Sequence, residues 1–441
     1  MIYLWRVVLL IVAASLGWRV TVNGIAGFYV DKMNAGDDGA IDQVLTWQPD
    51  NPAALYRKAL QESLDDPAQG AKLLSEAYRG NPSDPRALVA LASQAFADKQ
   101  FSRSDELIEI ASALAPADAR VQKQVASYWA ARGQPDRAIK HLSSVLLAAP
   151  LEARTILPAL IEIADDPEQQ YLLAPLASSP PKWWGKFFAQ ACRDIKHLDS
   201  LRYLYNLRRD SGTEPLTSEE RAAFVARLQR DGQISEAYMV WINGLDKPAL
   251  KQLGLVFNGG FELPLSNAGF GWHLVPNERV SARLLASTGT TGNQALNLKF
   301  RALEQPFRHL FQPLFLDPGR YRITGRARTD GLKSIGGVRW EVRCEQPESQ
   351  VLAEGPRLLA SSDWTNFEFE SDIPEACHYQ QLRLVSAGTR RFEVAMAGTI
   401  WFDDMRITRV KDTAAAAETN AGAVKSGPKP DQILRVGASS R

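Results

Sequence analysis

The sequence is poor in the residues from which metal and redox sites are usually built. Its 441 residues include five histidines and three cysteines. The histidines are scattered without the spacing of metal ligands, and no two cysteines form a CxxC pair. The GxSxG, HExxH, Walker and dinucleotide-binding motifs are also missing. We therefore expect a protein that is not an enzyme and that carries no cofactor.

An excess of charge of one sign is missing as well, since the formal net charge is +1. No overall field draws the chain toward nucleic acid, and we expect no nucleic-acid partner. Carboxylate pairs such as Asp165-Asp166 and Glu219-Glu220 fall at predicted helix boundaries, where acids interact favourably with the helix dipole. An enzyme whose acidic side chains converge only in the folded chain is the alternative.

The N-terminus carries one long apolar run. Residues 7–18 read VVLLIVAASLGW, with Arg6 before the run and Arg19 after it. A run of this length is typical of a signal peptide, but apolar residues continue to Val30, so a tilted helix could span a bilayer. We expect residues 1–30 to be an uncleaved signal anchor in a bacterial inner membrane, with cleavage after Ala26 as the alternative. In both cases the bulk of the chain lies in the periplasm.

A repeated pattern follows this segment. Prolines recur at intervals of 33 or 34 residues, in the segments WQPDNPAAL, GNPSDPRAL, LAPADARVQ and AAPLEARTI. Between them lie apolar stripes of helical spacing, such as Leu88, Leu91 and Ala95 followed by Ile108 and Ala111. Because proline cannot continue a helix, each one ends a two-helix unit. The period and the residue types resemble those of the tetratricopeptide repeat family.

This resemblance implies a superhelical array over residues 40–250, degenerate after about residue 150, whose concave face binds a protein partner. Some members of the family clamp a carboxylate with lysine and asparagine on their first helices. Arg120 and Lys123 are the basic residues available for such a clamp, although Ser127 stands where the asparagine belongs. Arg86 is a third candidate groove residue. The alternative for all three basic residues is an ordinary solvated helix face.

The composition changes after Lys251, where short alternating segments separated by Gly or Asn turns begin. Examples are LNLKFRAL, RYRITGRART, GVRWEVRC, TNFEFESDI and TIWFDDMRI. The pattern predicts an all-β sandwich over residues 253–410, a jelly roll of roughly eight strands. The predicted fold class is therefore multidomain, with an N-terminal transmembrane or signal helix, an α-helical superhelix and a C-terminal sandwich. Residues 411–441, rich in Ala, Gly, Pro and charge, are predicted to be a disordered tail.

The two ends of the sandwich region carry a second resemblance. An opening NGGFE, a GW soon after it and a closing IWFDDMRI resemble the galactose-binding-like carbohydrate-binding modules attached to many glycoside hydrolases. The resemblance implies that the first and last strands lie side by side. It also implies a structural calcium held by Glu262 and by Asp403 or Asp404, since calcium prefers carboxylate and carbonyl oxygens. Alternatively, these acids are ordinary turn and edge residues.

The same resemblance implies glycan binding, for which exposed rings and arginines are the candidate residues. Trp272 and Trp364 fall in or next to loops, and Trp401 lies opposite the core-facing positions of its strand. Arginines crowd the non-core strand faces, and we take Arg322 and Arg339 as candidate ligands of an acidic polysaccharide or an acidic protein patch. The alternatives are packing roles for the rings and solvated outer faces for the arginines.

The three cysteines suit an oxidising compartment. Cys344 and Cys377 both adjoin predicted strands of one domain, so we expect a disulfide between them and a free Cys192. The alternative is a pair of unbonded, buried thiols.

A chain that joins a signal anchor, tetratricopeptide-type repeats and such a sandwich resembles proteins linked to bacterial exopolysaccharide or O-antigen production. We therefore expect a non-enzymatic, membrane-tethered accessory protein whose repeats bind a protein partner and whose sandwich binds a glycan. The alternatives are a pure assembly scaffold without sugar binding and a glycan-degrading enzyme.

Overall fold

The structure, a computed structural model, describes residues 2–211, 213–359 and 361–410. The chain divides into two compact units, Met1–Leu216 and Thr217–Arg441, called here the helical unit and the sandwich unit. The helical half and the β-sandwich that the sequence predicts are both present. The predicted disordered tail, residues 411–441, lies outside the described residues.

The N-terminal apolar segment forms one helix, α1 (Ile2–Asn34). Its stretch Trp5–Asn34 is long and apolar enough to cross a membrane, although a signal sequence has the same properties. The helix runs past the predicted end at residue 30 because its last turn has a packing partner. Met33 is buried against Ala40, Ile41 and Val44 of α2 (Ala40–Trp47).

The rest of the helical unit is a succession of helices, the first six of them in consecutive contacting pairs. The helices are α3 (Pro52–Glu62), α4 (Pro67–Gly80), α5 (Pro85–Ala97), α6 (Phe101–Leu114), α7 (Ala119–Ala131), α8 (Pro135–Ala148), α9 (Ala153–Asp165), α10 (Ala174–Ser178), α11 (Trp184–Asp194) and α12 (Leu198–Ser211). Short 3-10 turns at Pro150–Glu152 and Gln170–Leu173 interrupt the series.

Local sequence signals set where these helices begin. Several helices start with proline in the first turn. Proline lacks a backbone N–H, but N–H groups in the first turn of a helix have no carbonyl partner within the helix, so no hydrogen bond is lost. Asp66, Asp84 and Asp118 precede α4, α5 and α7 and accept N–H groups of the first turn. The recurring Pro82 and Pro116 lie just after α4 and α6. The observed helix pairs therefore match the predicted two-helix units between prolines.

The described part of the sandwich unit contains ten β-strands. They are β1 (His273–Leu274), β2 (Val280–Leu285), β3 (Ala295–Leu303), β4 (Leu310–Leu314), β5 (Gly319–Ser334), β6 (Val338–Gln346), β7 (Gln350–Glu354), β8 (Ser362–Ile373), β9 (Tyr379–Ser386) and β10 (Met396–Arg409). They form two five-stranded antiparallel sheets, with strand orders β1-β4-β9-β6-β7 and β2-β3-β10-β5-β8. The alternation of side chains along each strand directs one set into the core. That core includes Leu298, Trp340, Leu384 and Phe402, all almost fully buried.

The opening NGGFE segment lies beside the closing strand, as the resemblance implies, but it is a turn rather than a strand. Met405 of β10 donates its backbone N–H to the carbonyl oxygen of Gly259 at 2.9 Å. A side chain at position 259 would meet the Met405 carbonyl oxygen at 2.0 Å. Glycine is therefore required here by the close approach of two backbone segments.

The sandwich unit also contains a helical hairpin that the sequence pattern places with the repeats. It consists of α13 (Ser218–Arg230) and α14 (Ile234–Ile242), followed by a short α15 (Lys247–Leu250). The hairpin packs on the sandwich through rings, with Trp241 at 5.0 Å from Phe257 and 5.6 Å from Phe270 between centroids. Gly269, at φ +56, lies directly under Trp241, where a Cβ would come within 2.2 Å of the ring. Aromatic packing thus makes residues 217–250 part of the sandwich unit.

Two cysteines of this unit are joined. Cys344 of β6 and Cys377, just before β9, form a disulfide with their Cα atoms 5.8 Å apart. Cys192 in α11 is buried and does not take part in a disulfide.

The hairpin should be required for the stability of the sandwich. Trp241→Ala should lower the free energy of unfolding of the sandwich unit by about 3–5 kcal/mol, the range for removing a buried aromatic side chain. Met239→Ala is the matched control, because Met239 lies on the same helix with 57% of its side chain exposed. Chemical denaturation of both variants, and of fragments 217–410 and 253–410, measures this. A fragment 253–410 as stable as 217–410 would contradict it.

The disulfide should be detectable without reduction. In denatured, unreduced protein we expect a single thiol to react with a labelling reagent, and all three after reduction. The Cys192→Ser variant should then show no reactive thiol before reduction. Loss of the bond in a Cys344→Ser, Cys377→Ser double variant should cost the sandwich unit about 2–4 kcal/mol. Three reactive thiols in the unreduced wild-type chain would exclude the bond.

Candidate functional site

One face of the sandwich carries aromatic and basic side chains in a row across all five strands of a sheet. In β10, Ile400 and Phe402 are buried in the core, so Trp401 between them points outward. Directly paired residues of neighbouring strands share a face. From β2 to β8 the row is Arg283, Asn297, Trp401, Arg328 and Trp364. This outer surface of the sheet β2-β3-β10-β5-β8 is called the aromatic face.

A guanidinium group lies between the two partly exposed rings of this face. The Cζ atom of Arg328 is 4.8 Å from the ring centroid of Trp401 and 5.9 Å from that of Trp364. Its Nη1 donates a hydrogen bond to the hydroxyl of Ser287 at 2.8 Å. Arg326 also lies over Trp364, with its Cζ atom 5.2 Å from the ring centroid. Cation–π contacts of this kind hold ring and guanidinium in fixed relative positions.

The indole N–H groups of the two rings differ. The Nε1 of Trp364 donates to the carbonyl oxygen of Thr288 at 2.9 Å, which fixes that ring against the β2–β3 loop, residues 286–294. The Nε1 of Trp401 is buried and has no hydrogen-bond partner among the described residues. A buried N–H without a partner is energetically costly.

The three acids expected to hold calcium all converge on the β2–β3 loop. Asp403 accepts the backbone N–H groups of Thr291 at 3.0 Å and of Asp404 at 2.8 Å. Asp404 accepts the Thr291 hydroxyl. Glu262 accepts the backbone N–H of Asn293 at 2.8 Å. The carboxylates therefore fix the loop that borders the aromatic face.

This arrangement does not fit calcium. Both oxygens of Asp403 and both of Glu262 already accept N–H groups, which leaves only part of their acceptor capacity for a cation. Residues 2–211, 213–359 and 361–410 contain no group of three His, Cys, Asp or Glu side chains placed to hold a metal ion. Burial raises the pKa of the Asp403 carboxyl, and the N–H groups of Thr291 and Asp404 oppose that rise.

The prediction that Trp272 is a sugar platform is wrong. Only 1% of this residue is exposed, and its Nε1 donates to the carbonyl oxygen of Asn258 at 3.1 Å. Its ring packs against Phe261 and Trp340, with centroids at 5.1 and 5.6 Å. The GW dipeptide follows a loop in the sequence, but the loop folds inward and places this tryptophan in the core.

The two candidate arginines lie on different sheets, so they do not share a site. Arg322 of β5 belongs to the sheet of the aromatic face and pairs with Glu370 at 3.0 Å. It is six residues from Arg328, about 20 Å along an extended strand. Arg339 of β6 is on the other sheet and pairs with Glu354. Both arginines are therefore neutralised by a neighbouring glutamate. This agrees with the alternative interpretation, in which the arginines belong to solvated outer faces.

Arg326 and Arg328 are functional candidates that the sequence interpretation did not select. Both continue the period-two alternation of Arg320 and Arg322 along β5, and the sequence carries that signal. A cleft of about 440 Å³ lies next to Arg326, bordered by Thr291, Asn366 and Arg406 among others. The accessible polar surface thus continues beyond the two rings.

The helical unit has a groove of its own, of about 670 Å³. Arg120 and Lys123 line it together with the apolar side chains of Val89, Phe96 and Ile108. Lys123 is paired with Glu152 at 2.9 Å. The third predicted groove residue, Arg86, is not among the lining residues; it pairs with Asp84 at 2.6 Å and lies 5.2 Å from the ring of Tyr56.

No protein-family model matches the chain, and no curated protein matches its sequence. Among solved structures, the chain resembles the enzymatically active domain of tailspike protein 4 of bacteriophage CBA120. The identity is 11% and the TM-score 0.27, over 36% of this chain and 21% of that one. The chain thus spans about a fifth of the length of the tailspike structure.

Two carbohydrate-binding modules are similar over a comparable part of the chain. One is CBM4, at 16% identity and a TM-score of 0.26, covering 35% of this chain and 99% of that one. The other is TmCBM61 in complex with β-1,4-galactotriose, at 19% identity and a TM-score of 0.26, covering 36% of this chain and 99% of that one. These partial likenesses concern fold, and the function of the chain has to follow from its own residues.

Proposed function

We propose that the chain is a non-enzymatic binding protein whose aromatic face holds a glycan. The observation that carries this proposal is the pair of outward-facing rings, Trp364 and Trp401, with Arg328 between them. Indole rings offer flat apolar surfaces on which the C–H faces of sugar rings pack. Arginine N–H groups and the hydroxyls of the β2–β3 loop supply the hydrogen bonds that orient the sugar hydroxyls.

The surroundings of the rings suit binding without a conformational change. Trp401 and Arg328 lie on inner strands of a five-stranded sheet, each hydrogen-bonded to a neighbouring strand on both sides. Trp364 is fixed by its bond to the β2–β3 loop, and three carboxylates fix that loop. A site whose side chains are already ordered loses little conformational entropy on binding.

A second candidate function, binding of a protein partner, has its own observation in the helical unit. The groove lined by Arg120 and Lys123 combines apolar side chains with a basic edge. Arg120 has no ion-pair partner among the described residues, which favours an acidic, partly apolar peptide as the ligand. If the aromatic face binds no sugar, this scaffold function becomes the primary one.

The N-terminal helix completes the proposal. Residues 5–34 would anchor the chain in a bacterial inner membrane, with the rest of the helical unit and the sandwich unit in the periplasm. Tethering raises the effective concentration of a weak binding site near the membrane, which suits low-affinity sugar recognition. In this setting the protein would act as an accessory factor in exopolysaccharide or O-antigen production.

Replacement of either ring should weaken glycan binding. We expect Trp364→Ala and Trp401→Ala each to cost at least about 1–2 kcal/mol of binding free energy, the size of effect that central aromatic contacts usually have. The measurement is affinity electrophoresis and calorimetry of the full chain against a panel of bacterial envelope polysaccharides.

Arg322→Gln is the matched control, because Arg322 lies on the same face but is paired with Glu370. Far-UV circular dichroism and the melting temperature check that each variant is folded. Absence of binding to every polysaccharide, or equal binding by wild type and both tryptophan variants, would contradict the proposal.

A further inference from the structure

We propose that the aromatic face selects saccharides that carry a carboxylate, uronic acids above all, and that Arg328 is the residue that binds the carboxylate. The inference rests on the proposed glycan-binding function and adds the chemical class of the sugar.

The first observation is that Arg328 differs from its neighbours on the same strand. Arg320 and Arg322 pair with Glu370, at 3.2 and 3.0 Å. Arg326 pairs with Asp404 at 3.6 Å. Arg328 makes no ion pair within the described part of the chain, and its hydrogen bond goes to the neutral hydroxyl of Ser287. Its charge is therefore available to a ligand.

The second observation is the geometry of its guanidinium group. The guanidinium group lies next to the two tryptophan rings, which limit its rotation. Its Nη1 atom donates a hydrogen bond to the hydroxyl of Ser287. A planar, oriented guanidinium matches a carboxylate through two parallel hydrogen bonds. A sugar that packs on either ring would bring an equatorial substituent into reach of this group. A uronate carboxylate there gains a charge-assisted bond that a neutral hydroxymethyl group does not make.

The third observation is the distribution of charge over the rest of the aromatic face. Arg283 and Lys299, on β2 and β3 beyond Trp401, are exposed and make no ion pair among the described residues. Two exposed carboxylates, Asp330 and Asp363, lie at the other side of the face, on β5 and β8. A polyanion is therefore expected to extend from Trp401 across β3 and β2.

The test uses pairs of ligands that differ only in the carboxylate. Oligogalacturonate and oligomannuronate are each compared with the same oligosaccharide after chemical reduction of its carboxylates to hydroxymethyl groups. Binding is measured by calorimetry with the full chain in phosphatidylcholine nanodiscs. We expect the uronate forms to bind roughly tenfold or more tightly than the reduced forms, as for one charge-assisted contact. Their affinity should fall between about 0.05 and about 0.5 M salt, because salt screens exposed charges.

The variants identify the residue. Arg328→Gln should remove the difference in affinity between the uronate and reduced forms, because the larger loss of affinity falls on the uronate form. Arg328→Lys should retain part of the preference, since it keeps the charge but loses the planar fork. Arg322→Gln should change neither ligand. Trp364→Ala should weaken both forms, because ring packing does not depend on the carboxylate.

The outcomes separate this inference from the proposed function. Equal binding of uronate and reduced forms, with loss in Trp364→Ala, would overturn the carboxylate selectivity and leave glycan binding intact. A uronate preference that survives Arg328→Gln would overturn the role of Arg328. Binding of poly-glutamate that exceeds uronate binding and is unchanged in Trp364→Ala would identify an acidic protein surface instead. Binding of none of these ligands would overturn the carboxylate selectivity, and the panel of envelope polysaccharides described above then decides the glycan-binding function separately.

Discussion

Strand β10 has two partners, β3 on one side and β5 on the other, and the register of these pairings decides which side chains meet on the outer surface. Trp401 lies directly opposite Asn297 and Arg328, with its own neighbours in β10 facing the core. A shift of one residue would send Trp401 inward and expose Ile400 and Phe402. The buried set of alternating side chains therefore also fixes the arrangement of the aromatic face.

The β2–β3 loop depends on a second, electrostatic constraint. Three carboxylates turn toward its backbone and hydroxyl donors, so a short polar loop keeps one conformation beside Trp364. Two glycines make room for this: a Cβ at Gly292 would come within 1.9 Å of a Glu262 oxygen, and one at Gly289 within 2.9 Å of the Trp364 ring. The three carboxylates thus order the loop, and the ordered loop positions the ring of Trp364. In other proteins a bound metal ion can order a loop in the same way.

Periodicity made the two halves of the fold predictable. Proline spacing and helical stripes indicate the helix pairs, and period-two alternation indicates the sandwich, because both signals come from burial that repeats along one element. The pairing of elements distant in sequence is not visible in that way. Arg322 and Arg339 sit in similar alternating segments, yet they belong to different sheets. The hairpin of α13 and α14 has helical spacing like the repeats, and only its rings, packed on Phe257 and Phe270, place it with the sandwich.

The same limit applies to the candidate site. The acids of the opening and closing motifs do converge in space. Their hydrogen-bond donors, however, are backbone N–H groups of the β2–β3 loop, from Thr291 to Gln294, and no motif predicts them. Trp272 and Trp364 both adjoin loops in the sequence, and the direction in which each loop folds makes one a core residue and the other a partly exposed ring. Strand register decides which arginines of β5 lie beside a carboxylate of β8. The sequence alone therefore does not distinguish Arg328 from the other arginines of its strand.

Fluorine NMR of the chain labelled with fluorotryptophan reports whether a glycan occupies the aromatic face. The signals are assigned by replacing Trp272, Trp364 and Trp401 with phenylalanine one at a time. A bound envelope polysaccharide should shift the resonances of Trp364 and Trp401 and leave that of the buried Trp272 unchanged. A saturable shift confined to other tryptophans, or no shift in Trp364 and Trp401 at saturation, would contradict it.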